Sequence, residues 1–319
     1  MLILDKGYNE TRNKFVKPLS DYSVQYRHLR NSNIKNIMLT KTKNVEKYGN
    51  KEYKFYFNES DLFKGLLGDI LLFYIRSILQ KNDFEQMIKN TQFSANWNIV
   101  TNYYLAFFNA SLLLRICHRG NIFFDKENKK DIEYIISTMI GEIIEIDSNQ
   151  FFSIQKIDGE YILFLSKAEA NTHEVVWKKI HVLLDEILLL SNLKSEERAF
   201  LLSCQCINQK LADTFPSQLR NKVNYQPIYG LEFLEKNLFS IRKNENWVKE
   251  IIGFDISEVK NNDKRMVNVY SAYTTYIEKL TYRLMQDYFE MKGSGDYILS
   301  QVNKCREKKI EIEEIGFVY

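Results

Sequence analysis

The segment SANWNIVTNYYLAFFNASLLL, residues 94–114, carries no charged side chain. By length and composition it passes for a membrane span. Yet Asn96, Asn98, Thr101, Asn102, Asn109 and Ser111 would each be costly facing lipid. The segment therefore reads as an interior helix of a predominantly helical protein, running from about Asn96 to His118. Arg119-Gly120 comes next, with Gly120 suited to the left-handed residue after a helix end.

Outward from this helix, the apolar spacing of Leu62, Phe63, Leu66, Leu67, Ile70, Phe73 and Leu79 predicts a helix over about Ser60–Leu79. A third helix is expected over Lys129–Ile140. The period then changes: residues 150–156 and 161–165 are rich in aromatic and branched side chains and flank Asp158-Gly159, a hairpin turn signal. Helical spacing resumes from about Asn171, again from Ser195 to Phe215, over Leu231–Ile241, and over Arg265–Met291. In the last, Met266, Val269, Tyr270, Tyr273, Ile277, Leu280 and Leu284 form one stripe that reads as core packing. Proline at 216 breaks the Ser195 helix and fits the first turn of the next segment. Residues 1–50 show no sustained period and read as an irregular arm with short strands, with Tyr53–Phe57 as one strand.

Composition agrees with long helices packed through aromatics: 45% of residues are hydrophobic, with Phe 21 and Tyr 20 against Gly 12 and Pro 3. The net charge of +3 advertises neither bulk nucleic-acid binding nor a membrane partner. The positive surplus lies in residues 1–60, with 12 basic and 6 acidic side chains. That arm reads as a solvated surface, with a nucleic-acid or acidic-partner contact as the alternative. The cysteines at 117, 204, 206 and 305 lack zinc or redox spacing, and the start is too briefly apolar for a signal peptide. A cytoplasmic setting with free thiols is expected.

No phosphate-binding glycine loop, dinucleotide fingerprint, nucleophile elbow or HExxH pair occurs in the sequence. His173-Glu174-Val175-Val176-Trp177 comes near the last of these, but Trp177 takes the second ligand's place. His173 and His181 lie about 12 Å apart along a helix, too far to share one metal directly. Neither metal nor cofactor is expected. His118 reads as an imidazolium at a helix end, where the dipole favours a cation. Cys117 reads as core. The most suggestive polar cluster is Arg220-Asn221-Lys222-Val223-Asn224-Tyr225: on a helix, Arg220 can grip a phosphate bidentately while Asn221 and Asn224 orient a sugar or phosphate. A purely structural Arg220–Asn221 node is the alternative.

Two segments together resemble the HEPN domain, a compact helical module of prokaryotic toxin and antiviral defence proteins. Residues Trp97 to Ala110 are similar to its tyrosine-rich early helix, and Arg220-Asn221-Lys222-Val223-Asn224-Tyr225 is similar to its late arginine segment. The resemblance covers roughly residues 60–240 and implies a helical bundle, with the hairpin near 143–166 as an insertion. It also implies an arginine and a histidine at a dimer interface, which cleave RNA through the ribose 2′-hydroxyl. Arg220 matches the arginine, but Tyr225 stands where the histidine is expected. A phenol with an ordinary pKa of about 10 is a poor resting base.

The expectation is accordingly a mainly α protein with a small β-hairpin insertion and short N-terminal strands. Its organisation is a basic arm over 1–58, a HEPN-like body over 59–240 and a helical extension over 241–319. The expected role is a non-catalytic accessory or interaction subunit of a prokaryotic defence complex, with a protein partner or a second copy and no membrane. The alternative is a metal-independent endoribonuclease that uses Arg220, Asn221 and Tyr225, with His118 as substitute base and RNA as substrate.

Overall fold

A computed structural model of the chain describes residues 9–22, 32–89, 94–190, 193, 195–211, 214–226, 247–253, 255 and 263–292. After three short N-terminal helical segments, the helices are α1 (Ile34–Lys41), α2 (Glu59–Lys89), α3 (Ala95–Ile116), α4 (Lys126–Ile140) and α5 (Thr172–Leu188). They continue as α6 (Ser195–Leu211), α7 (Phe215–Tyr225), α8 (Trp247–Ile252) and α9 (Asp263–Lys292). The strands are β1 (Asn44–Gly49), β2 (Glu52–Tyr56), β3 (Arg119–Phe123), β4 (Asn149–Ile157) and β5 (Glu160–Lys167). The protein is mainly helical with one five-stranded antiparallel sheet. The expected helix over Leu231–Ile241 lies outside the described residues.

The chain forms two compact units that interleave along the sequence: Met1–Arg12, Arg76–Leu113 and Val176–Met285 make one, and Asn13–Ile75, Leu114–Val175 and Gln286–Tyr319 make the other.

Among its described residues, the first unit has helices and no strand. Within it Asn102 and Asn109 of α3 bond to neighbouring helices, which helps an amide-rich helix to be interior, while the Asn96 and Asn98 side-chain oxygens are buried without a hydrogen-bond partner. Ser77 Oγ donates to Asn109 Oδ1 at 2.8 Å, and Asn109 Nδ2 donates to the Leu105 carbonyl at 2.9 Å. Asn102 Nδ2 donates to Thr274 Oγ1 at 3.4 Å, and Thr281 Oγ1 donates to the Asn109 carbonyl at 3.2 Å. The most apolar window of α3 is 89% buried. On α9 the predicted stripe is core beyond its first residue: Met266 is half-buried, while Val269, Tyr270, Tyr273, Ile277, Leu280 and Leu284 are fully buried.

The second unit holds the sheet, in the order β1-β2-β5-β4-β3. Asp158-Gly159 forms the expected hairpin turn: both residues have positive φ, 50° and 92°, as a tight two-residue turn requires. That hairpin and the N-terminal strands are not separate additions, however. β2 pairs with β5, joining them into one sheet. One face presents Tyr53, Leu165, Phe152 and Gly120 in register, with Phe55, Leu163 and Ile154 in the next row, and all of these are buried. Strand β3 falls where the sequence suggests only a helix end. Gly120 is not a helix cap but a strand residue whose missing side chain makes room for Phe152, and a Cβ there would lie 2.8 Å from that ring. The left-handed residue after α3 is His118, at φ 60°. Residues 34–41 of the supposed irregular arm form α1, started by Asn33, whose side chain accepts from the Asn36 N–H.

Candidate functional site

Helix α7 carries the polar cluster. Pro216 sits in its first turn, and Phe215, Leu219 and Val223 recur at four-residue spacing to bury one face. The Phe215 ring lies 5.3 Å from that of Tyr273 on α9. This docking aims Ser217 and Arg220 at Tyr103 of α3. Trp177 on α5 donates its indole N–H to the Tyr103 oxygen at 3.4 Å, and the Tyr103 and Ser217 hydroxyls bond at 2.9 Å. Tryptophan is donor only, so the Tyr103 oxygen accepts from it, and either hydroxyl can be the donor of the Tyr103–Ser217 bond. The Arg220 guanidinium carbon stands 5.1 Å from the Tyr103 ring centroid, a cation–π contact.

Burial pushes the Tyr103 phenol above its ordinary range, while bonds from Ser217 and Trp177 and the charge of Arg220 oppose that rise. Beside it, Tyr270 of α9 is fully buried with its hydroxyl unpartnered, and burial drives its pKa far up. Both phenols are therefore protonated at neutral pH. Arg220 is half-buried, its Nε is buried without a hydrogen-bond partner, and among the described residues no carboxylate pairs with it. What the cluster offers chemically is donors: one guanidinium, an indole N–H and hydroxyls.

Of the residues singled out in the sequence, Arg220 meets the tyrosine-rich helix. Asn221, Asn224 and Tyr225 instead face solvent, Tyr225 with 73% exposure at the end of α7. His118 belongs to the sheet unit. It is buried, its Nε2–H donates to the Phe15 carbonyl at 2.9 Å, and the rings of Phe15 and Phe63 meet it edge-on. Desolvation pushes its pKa down to about 4, so it is a neutral imidazole and not the helix-end cation expected from its position.

His181 is buried on α5 with its ring 6.3 Å from Tyr273, and His173 is half-buried at the start of the same helix. Among the described residues no group of three His, Cys, Asp or Glu converges. Cys117 is core, as read from the sequence, and burial pushes the Cys204 thiol up. Sequence reasoning misses Ser217, Trp177 and Tyr270. Each sits within an apolar helical stripe, and only a buried hydroxyl or N–H beside an arginine marks them.

No family model, curated protein or solved structure matches the chain.

Proposed function

We propose that this chain is a non-catalytic helical interaction subunit, cytoplasmic and working with a protein partner or a second copy of itself. Its HEPN-like segments suggest a prokaryotic antiviral defence complex as the setting. The observation that carries the reading is the way Arg220 is used. Its guanidinium lies on the ring of Tyr103 inside a bonded cluster with Trp177 and Ser217, while Tyr225 and Asn221 point into solvent. An arginine held this way acts as a packing node of the α3–α5–α7 helices. The residue at the family's base position is a solvent-facing phenol.

One observation favours the second reading, an endoribonuclease or RNA-binding role. Arg220 lacks a carboxylate partner among the described residues, and a phosphate would supply the missing counter-charge.

The association reading is tested by light scattering of the purified chain, alone and with partners recovered from its native cells, for the wild type and for Asn221→Ala/Tyr225→Ala. The proposal expects a defined complex that the double variant weakens at unchanged helicity. A strict monomer that recovers no stoichiometric partner overturns it.

A further inference from the structure

Residues 13–22 of the sheet unit form a segment with little stability of its own. The π-helical stretch Arg12–Val16 runs directly into a five-residue helix, Lys17–Asp21, with Pro18 in its first turn. Helices this short do not persist in water, because nucleation costs more than one turn returns. The segment is kept in place by Phe15, Val16 and Leu19, all buried, by Tyr22 stacked on Phe63 at 4.2 Å, and by Lys292, which donates to the Tyr22 carbonyl. A further polar anchor is His118, whose imidazole bonds the Phe15 carbonyl at 2.9 Å.

His118 holds a left-handed backbone, φ 60°, that a non-glycine residue keeps only when its surroundings require it. Its own N–H donates to the Arg115 carbonyl and its carbonyl accepts from Ile154, so the backbone fixes the ring's position from the sheet side. Beneath the segment, Phe63 is fully buried and meets the Tyr161 ring edge-on at 4.8 Å. Arg119, the next residue, is the charged group that acts on His118, while Phe15 and Phe63, which pack against it, carry no charge. Asp21 and Glu59 act on Tyr161.

We propose that residues 13–22 are a detachable strap, latched by His118, which seals the aromatic patch of Phe63, His118 and Tyr161 and opens as a unit while the sheet stays folded. This goes beyond the association role and does not depend on Arg220. The contrast in anchoring makes it workable. The sheet rests on Phe55, Phe152, Leu163 and Leu165, all fully buried, whereas the strap contributes three buried apolar side chains of its own.

Hydrogen exchange of the full chain, read by mass spectrometry, tests the proposal. At pH 7 amides of 13–21 exchange at least a hundredfold faster than those of 62–75 and 150–165, after correction for intrinsic rates. His118→Ala speeds exchange in 13–21 about tenfold further, the loss expected for one hydrogen bond, and leaves the other two regions unchanged. Leu19→Ala, at the far end, also acts on 13–21 alone. Lowering the pH from 7 to 4.5 costs the wild-type strap about fiftyfold in protection, since the open state takes up a proton at the ordinary histidine pKa, and His118→Gln abolishes that loss. Strap exchange as slow as the sheet's overturns the proposal. So does a His118→Ala chain that fails to fold or loosens 150–165 equally, or an acid response that persists in His118→Gln.

Discussion

Replacing Tyr103 by Phe removes one oxygen and leaves two buried groups without a partner. The indole N–H of Trp177, fully buried, loses its acceptor, and the Ser217 hydroxyl, 4% exposed, loses its 2.9 Å bond. A buried polar group left unpaired costs about 1–3 kcal/mol. The Trp177 bond is long, at 3.4 Å, so its loss falls at the low end and the pair sums to about 2–3 kcal/mol. Arg220 supplies the second half of the test. Arg220→Ala removes a cation–π contact and the stem's packing, about 1–2 kcal/mol. In a Tyr103→Leu background, where no ring remains, that cost shrinks by about 1 kcal/mol. Urea denaturation followed by circular dichroism at pH 7 measures all four chains of the cycle and Tyr103→Phe beside them. A Tyr103→Phe cost below about 0.5 kcal/mol would refute the bonded cluster of Tyr103 with Trp177 and Ser217, and an Arg220→Ala cost identical in both backgrounds would refute the claim that Arg220 is a packing node on Tyr103.

Two other predictions concern the sheet unit. Gly120→Ala places a Cβ 2.8 Å from Phe152 Cε1 and 3.3 Å from Arg115 Cζ, so it destabilises by about 1–3 kcal/mol in a urea titration; Gly141→Ala, at φ 80° with open space around it, incurs only backbone strain of about 1 kcal/mol. The folded-state pKa of His118 lies below its ordinary value, so its contribution is fully present above about pH 6.5 and is lost as pH falls toward about 4. The wild type thus loses about 2.4 kcal/mol between pH 7 and 4.5 relative to His118→Gln, as denaturation midpoints at the two pH values would show.

The parts of the fold readable in the sequence are those decided locally. Asp158-Gly159 announces its turn because both residues tolerate positive φ, and the α9 stripe announces its buried face by spacing alone. The sheet is not readable because its joins are long-range. Tyr53 pairs with Leu165, and Gly120 with Phe152, and neither strand's own pattern names its neighbour. Gly120 misleads because a glycine after an apolar helix signals a cap, whereas here its smallness serves packing. Helix α2 runs on to Lys89, past the expected end at Leu79, with Phe84, Met87 and Ile88 continuing the helical spacing after a polar break at residues 80–83 and Phe84 buried.

For the site, Arg220 and the tyrosine-rich helix are visible as separate segments. Their meeting at Tyr103 depends on Phe215, Leu219 and Val223 docking α7, a tertiary fact. The state of His118 is invisible for the same reason. A helix-end position favours a cation, and burial against Phe15 and Phe63 outweighs it.

Association without catalysis is tested most sharply by a turnover assay. Wild type, Arg220→Ala and His118→Ala are incubated with structured and single-stranded RNA, alone and with any recovered partner, without added metal. A non-catalytic chain shows no cleavage above that of the Arg220→Ala chain in any combination, with the partner complex intact. Multiple-turnover cleavage by the wild type, abolished in an Arg220→Ala chain that folds normally, would contradict it.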